Sequence, residues 1–533
     1  MYLKTLISIS LLVILSALGQ LRAHDTSQEA APEKTLKTLR GKAPKPLSEM
    51  ELFDKTKEGV VSIETRVSHG AYTARGVRNG TGFLVDKKHG FIITNRHVAA
   101  SASVGVHFIT FFSGRQLVAH KIYEDPYHDF AILQVDPADI PPSAIALTFS
   151  LNKPKTGDGI VIVGKNEGQD FSFHTGRVSS LYEITGYLPG QSMRLSLNTR
   201  GGSSGSPVFN TQGQVIALNH SGSDTSAFAL HTSYITQMLN VFRNEPDTLQ
   251  RWEMGVDLSY DPVDKLVRHL NFPKDIAATY REDYTDASGK ILVVERTHKG
   301  SPARNLLKPG DVLWALNDTP IGPHLERLQL LINKSGHKPL KITVIRDGKK
   351  VDVSFVPQMV LDHQITRFVE FGGGIFFAAD DFTNSQTGCG IGAVVVNAID
   401  EGGAFYQVFR AANLGSGLNV RVTKLNNHSI KTLNDFIEAI PSAVKKEHFG
   451  VQYSNYGVSP GYNSTALTTR SRRSTTVTFS SHQSSPRLFT FDRKERRWSV
   501  KLINVGAPKA ETVEKDAADD SDEMPVRTSL VSK

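Results

Sequence analysis

Between residues 59 and 219 apolar and polar positions alternate in short runs, the period of half-buried β-strands. Gly59–Val67 (GVVSIETRV) opens the series, and Gly80–Val85, Phe91–Thr94, Val104–Phe112, Phe130–Val135, Gly159–Gly164, Met193–Leu197 and Gln214–Asn219 continue it. Gly, Asp and Asn fall between the runs, where turns need them. A short helix is predicted over Glu51–Lys57, and no long helical period appears before about Ser233. This rhythm predicts an all-β body, either a pair of barrels or a sandwich.

Beyond Arg243 the pattern becomes mixed and occurs twice. The first copy runs from the strand Ile291–Arg296 through the turn KPGDV (Lys308–Val312) and a helical stretch at His324–Ile332 to the run Lys341–Phe355. Its Asp347-Gly348 pair predicts a tight hairpin. The second copy repeats the order with Ala393–Ile399, Gly402–Val408, Leu418–Ile430 and Leu433–Ile440. Two homologous small domains are therefore expected. The Ser/Thr-rich stretch 459–485 is expected to be a loop inserted in the second one. Arg487–Phe491 and Trp498–Ile503 are expected to complete that domain as a hairpin.

The ends of the chain read differently. Met1–Gly19 carries Lys4, then an apolar run Leu6–Leu15, then small residues at Ala17-Leu18-Gly19 or Leu21-Arg22-Ala23. That is the build of an export signal, residues 1–23; the alternative is an uncleaved anchor. Residues 24–47, rich in Glu, Lys, Ala and Pro, are expected to be an arm, and 506–533 a disordered tail. The domains in between are placed at 48–245, 250–358 and 365–505.

The 533 residues are 39% apolar and 21% charged, as in globular material, and no segment predicts a stable membrane span. Cys389 is the only cysteine, so no internal disulfide can form. The glycosylation triplets Asn79-Gly80-Thr81 and Asn219-His220-Ser221 lie in predicted strands where sugars would obstruct folding. This tilts the expected compartment toward a bacterial periplasm. The net charge of +8 gathers at Arg470–Arg473 and Arg493–Arg497, ahead of an acidic run at Glu511–Glu523. Solvated surface explains it better than a nucleic-acid site. No metal-ligand spacing and no phosphate-cradling glycine motif is present, so neither metal nor cofactor is expected.

Thr199–Val208 (TRGGSSGSPV) has the composition of a linker, but it also fits a turn that presents one hydroxyl. A serine nucleophile needs a base, an orienting carboxylate and donors for the oxyanion. His97, just past the buried run of GFIITNRHV, is the candidate base. Asp129, at the entrance to the apolar strand FAILQV, is the candidate carboxylate, and Asp125, before a proline, reads as a turn residue. Gly201, Gly202 and Gly205 free the backbone so that the amides of Gly202 and Ser204 converge as an oxyanion hole, with Ser204 as nucleophile.

The series GTGFLV, TNRHV, DFAIL, GGSSGSPV and QVIALN, in the order His, Asp, Ser, resembles the HtrA/Deg family of trypsin-like serine proteases. The resemblance extends through both repeats. It implies a mainly β fold, with a chymotrypsin-like double β-barrel followed by two PDZ-like α+β domains. It also implies a triad of His97, Asp129 and Ser204 at the barrel junction. Such domains capture a peptide end as an added strand, which nominates Met254, Gly255 and Val256 in the first copy and Gly373, Gly374 and Ile375 in the second, where NLGSGLNV replaces the usual Gly-Asp turn and a role in packing between domains is the alternative. The family implies an ATP-independent endoprotease acting on misfolded or unfolded proteins and peptides, assembled as a trimer or multiple of trimers. Two departures stand out. Ser203 and Ser206 replace the Asn and second Gly of the usual loop, and no acid is evident near Asn198 at the specificity pocket. These leave a catalytically silent holdase as the alternative.

Overall fold

The computed structural model describes residues 46–185, 188–245, 248–400, 402–406, 420–445, 448–455, 471–478 and 485–505. The expected leader and most of the arm and tail lie outside them.

The choice between barrels and sandwich is settled by strand closure. The first six strands are β1 (Val60–Gly70), β2 (Gly76–Asp86), β3 (Phe91–Thr94), β4 (Ser103–Phe111), β5 (Gln116–Glu124) and β6 (Ala131–Gln134), closed in the order β1-β2-β3-β6-β5-β4. The next six are β7 (Gly159–Asn166), β8 (Gln169–Thr185), β9 (Leu188–Leu195), β10 (Pro207–Phe209), β11 (Val215–Gly222) and β12 (Ala227–His231), closed as β10-β11-β12-β9-β8-β7. The fold is mainly β, with a trypsin-like double barrel at its head.

Successive side chains of a strand point to opposite faces, so a strand apolar at every position must be buried on both. β3 is buried at all four positions and apolar at the first three, Phe91, Ile92 and Ile93. Ile92 enters the core inside the first barrel with Ile63, Leu84, Ile109 and Leu133. Ile93 faces the other way, into a second core shared by the barrels with Phe83, Phe130, Val163, Phe209 and Leu218. The helix Thr232–Asn244 closes that shared core with Tyr234, Ile235, Met238, Leu239 and Phe242. Burying each such side chain contributes about 1.5–3 kcal/mol, and the loops that leave β3 and β6 are anchored by it.

Two α+β units follow. In the first, the strands Val256–Pro262, Lys290–Thr297, Val312–Leu316, Leu340–Arg346 and Lys349–Phe355 lie side by side in that order, with Val256–Pro262 at the edge. The helix Leu325–Ser335 covers the sheet through Leu328 and Ile332. In the second, the sheet runs Ser471–Thr478, His448–Asn455, Val420–Leu425, Val394–Ile399, Gly374–Ala378, Arg367–Phe371, Arg487–Asp492, Arg497–Leu502. The Ser/Thr-rich stretch is thus not all loop. Ser471–Thr478 pairs with His448–Asn455, its Thr and Val residues being good strand formers. The hairpin from Arg487 joins the other side of the sheet, on Arg367–Phe371. One face of this sheet carries its own helix, Leu433–Val444. The other packs Phe368, Phe377 and Val395 against Ala71 and Ala102 of the first barrel. No helix among the described residues is long and apolar enough to cross a membrane.

Candidate active site

Paired β3 and β6 end together, Thr94 opposite Ala131, so the segments flanking them share one end of the first barrel. Past β3 the chain makes a single helical turn, closed by the Ala99 N–H to the Asn95 carbonyl at 3.0 Å, and His97 stands on it. The buried Asn95 side chain donates to the Asp129 carbonyl at 2.8 Å. Asp129 in turn takes the His97 backbone N–H on Oδ1 at 3.0 Å and meets His97 Nδ1 with Oδ2 at 2.7 Å. Asp129 is 5% exposed and the His97 ring 48% exposed, so the carboxylate is walled in while the ring's far edge reaches solvent. Burial alone would raise the Asp129 carboxyl, but the charge and hydrogen bond of His97 hold it at about 2. Desolvation in the cleft works against a charged His97, and Asp129 outweighs it, leaving the imidazole above its ordinary value.

Ser204 comes from the second barrel, on a loop tied to both. The Thr81 N–H of β2 donates to the Ser204 carbonyl at 2.8 Å, and the Thr81 hydroxyl donates to the Gly202 carbonyl at 3.0 Å. On the other side the Gly205 N–H donates to the Asn219 carbonyl at 2.8 Å, and Asn219 Nδ2 donates to the Ser203 carbonyl at 2.9 Å. Gly205 has φ of +87°, and a Cβ there would lie 1.9 Å from the Thr81 carbonyl oxygen, so no other residue fits. At Gly80 an added Cβ would stand 2.5 Å from Val98 and 3.2 Å from the Ser204 carbonyl oxygen. Only a bare backbone lets the His97 and Ser204 segments close on each other.

The hydroxyl itself is turned aside. Ser204 Oγ donates to the His220 carbonyl at 3.4 Å. Among the described residues His97 Nε2 has no hydrogen-bond partner, and the Gly202 and Ser204 amides donate to none. The structure therefore brings His97 and Asp129 into contact and sets Ser204 beside them, with two amides uncommitted. His220 was passed over in the sequence because its role depends on contacts rather than spacing. Its ring is buried between the Ser192 hydroxyl at 2.9 Å and the Ser221 hydroxyl at 3.0 Å, and burial pulls it down to about 4, so it is neutral. Asn198, at the expected specificity pocket, is exposed, and Arg200 is held by Glu167 and Asp224, both at 2.9 Å. Among the described residues no cluster of His, Cys, Asp and Glu is placed to hold a metal ion.

A second group beneath the site also escaped the sequence. Asp125 is a turn residue, accepting the Tyr127 and His128 amides at 3.0 and 2.7 Å, but it is also the base of a buried ion pair. Arg251, from the start of the first α+β unit, reaches Asp125 with Nε at 3.1 Å, His128 Nδ1 with Nη2 at 3.0 Å and Glu253 at 2.8 Å. Burial opposes all of these charges. Arg251 and His128 nonetheless hold Asp125 far below the carboxylate range, while burial wins at Glu253 and raises it to about 7. The second α+β unit touches the same region, since Phe382 lies under the Arg96 guanidinium at 4.3 Å and Tyr72 hydrogen-bonds Asp380.

The two nominated peptide loops are placed differently. Met254, Gly255 and Val256 are buried and lead into the edge strand Val256–Pro262, whose outer side has no partner strand among the described residues. Gly373 instead shares a two-residue hairpin turn with Gly372, at φ of +79° and +57°. Gly374 and Ile375 begin a strand paired on both sides, by Arg367–Phe371 and Val394–Ile399. Adding a strand requires a free edge, so the expectation for Gly373, Gly374 and Ile375 is corrected: they close an interior hairpin.

Residues 80–218 match the trypsin-like peptidase domain family. The pro-apoptotic serine protease NMA111 of Meyerozyma guilliermondii is 30% identical over 350 residues, covering 62% of this chain and 34% of that protein. Protease Do-like 7 of Arabidopsis thaliana is 27% identical over 460 residues, covering 80% of this chain and 39% of that one. The chain thus spans about a third of the length of these curated relatives. Among solved structures, the HtrA-type protease AlgW with tripeptide aligns at a TM-score of 0.42 and 20% identity, over 59% of this chain and 97% of that one. The peptidase-domain match and the relatives that continue past it agree: residues 80–218 are a trypsin-like peptidase domain, and the chain is similar over a longer span to serine proteases of the Do-like and NMA111 kind.

Proposed function

We propose that the chain is an ATP-independent serine endopeptidase of misfolded or unfolded polypeptides, with Ser204 as nucleophile, His97 as general base and Asp129 as its orienting carboxylate. The observation that carries this reading is the short bond between His97 and a walled-in Asp129, facing a glycine loop with two uncommitted amides. Asp129 fixes the imidazole with its proton on Nδ1, which leaves the Nε2 lone pair free to accept. Rotation of Ser204 Oγ away from the His220 carbonyl brings the hydroxyl to Nε2. Oγ then attacks the scissile carbonyl as its proton passes to His97. The oxyanion is received by the Gly202 and Ser204 amides, and His97 returns the proton to the departing amine. Water repeats the sequence on the acyl-enzyme.

The first α+β unit, read as a PDZ domain, takes a peptide end along its edge strand near Met254, Gly255 and Val256. Assembly as a trimer or multiple follows the family resemblance. Export is proposed from the leader, while the yeast and plant relatives do not single out a bacterial periplasm. The turned-aside hydroxyl favours a second reading, a holdase without turnover. A fluorophosphonate probe decides between them. Labelling at Ser204, with casein cleavage lost in Ser204→Ala, is expected; no labelling with any peptide or at any temperature overturns the proteolytic reading.

A further inference from the structure

Arg78, at the edge of the candidate site, has no counterion among the described residues. It lies on β2 two residues before Gly80, and residues two apart on a strand share a face, roughly 6.6 Å apart along it. The Gly80 face is the one that meets Val98 and the Ser204 carbonyl. Arg78 therefore leaves the strand on the same side, at the mouth of the first barrel. Its neighbours across the sheet supply no negative charge. Thr65 is directly opposite, with His107 beyond it, and these two bond to each other at 3.0 Å. Burial depresses His107 to about 3, so its ring is neutral. The nearest carboxylate along the paired strand, Glu64, is taken by Arg66 at 2.6 Å.

Arg78 is half-buried, its Nε is wholly shielded from solvent, and among the described residues that atom has no hydrogen-bond partner. Arg96, the other cation beside His97, is by contrast satisfied by the Asp125 and Pro126 carbonyls and by Phe382. A shielded Nε–H without an acceptor is costly unless something outside the chain completes it. Its charge also bears on His97, opposing the charged imidazole.

We propose that Arg78 is a substrate-selecting residue, which pairs with an aspartate or glutamate side chain close to the scissile bond of the bound polypeptide. The inference rests on the proteolytic reading above and adds to it a preference for acidic sequence next to the cleavage point. Arg78 selects and takes no part in bond making.

The test uses peptides that differ only in carrying Glu, Ala or Lys at one position within two residues of the cleaved bond. With the full chain, Glu is expected to exceed Ala by about tenfold in kcat/KM at one position, the amount one charge-assisted hydrogen bond supplies, and mainly through KM. Arg78→Gln should bring the Glu-to-Ala ratio close to one, and Arg78→Glu should invert it in favour of Lys. A Glu preference that survives Arg78→Gln, or the absence of one at every position, overturns the proposal. Binding of the same peptides to Ser204→Ala, read by fluorescence anisotropy, separates this from failure of the proteolytic reading. An Arg78-dependent Glu preference in binding upholds the proposal even without turnover, and its absence there refutes it. Arg78→Lys, which keeps the charge, should retain part of the preference and guards against a variant that has merely lost its fold.

Discussion

The two barrels prepare their contributions to the candidate site in opposite ways. The first holds His97 and Asp129 in a bond already made, braced by Asn95 and seated on strands buried on both faces. The second presents Ser204 on a glycine loop, its hydroxyl facing the His220 carbonyl, and there the Gly202 and Ser204 amides donate to nothing among the described residues. The permanent half is the one whose groups must share a charge in a fixed geometry. The half that carries Ser204 is held by backbone bonds to Thr81 and Asn219, which leave a side-chain torsion free to swing. If Ser204 is the nucleophile proposed above, such a division keeps it idle at low cost, because only a rotamer has to change.

The largest effect is expected at Ser204. Ser204→Ala should lower casein turnover by about 10⁴-fold or more, with the His97–Asp129 bond still visible as a downfield imidazole proton by NMR. Loss of that signal would show the halves are not independent. Arg251→Met attacks the support under the first half. Leaving Asp125 buried and unpaired should cost about 3–5 kcal/mol in denaturant unfolding, and an unchanged midpoint would remove the buried network from the account. Gly205→Ala attacks the second half alone, since its Cβ must displace the Thr81 carbonyl. A fall in kcat of about 10²–10³ is expected if the oxyanion amides lose their aim.

A smaller effect is expected with pH. The base must be neutral, and Asp129 holds His97 above its ordinary value of 6.5. The acid limb of kcat/KM should therefore have its midpoint above 6.5 and move down in Asp129→Asn. The smallest effect concerns Glu253. Between its ordinary 4.5 and its raised value of about 7 the folded chain keeps a proton that the unfolded chain releases, so stability falls as pH rises across that window. Glu253→Gln should flatten the slope of melting temperature against pH.

The barrel strands were legible where one face is apolar and the other polar, as in β1, and where both are apolar, as in β3. β5 and β8 were missed because their residues are half-exposed on both faces and show no clean period, and the short strands β10 and β12 were missed as well. His97, Asp129 and Ser204 could be nominated because each sits in a local context with chemical meaning. Arg251 could not be, because its partner lies 126 residues earlier in the chain and no spacing links them. The second glycine run misled because three glycines before an apolar strand fit a binding loop and a tight hairpin equally well. Only strand order, which no local window contains, separates the two.

The hairpin Arg487–Leu502 has a consequence for the molecule in crowded solution. By laying two of its own strands beside Arg367–Phe371, the chain spends backbone donors and acceptors that would otherwise recruit a neighbour. The new outer rim, Arg497–Leu502, carries the exposed Arg497 and Lys501, so two such rims meeting repel before they can knit. Part of the cationic excess near the C-terminus thus guards against fibrous self-association.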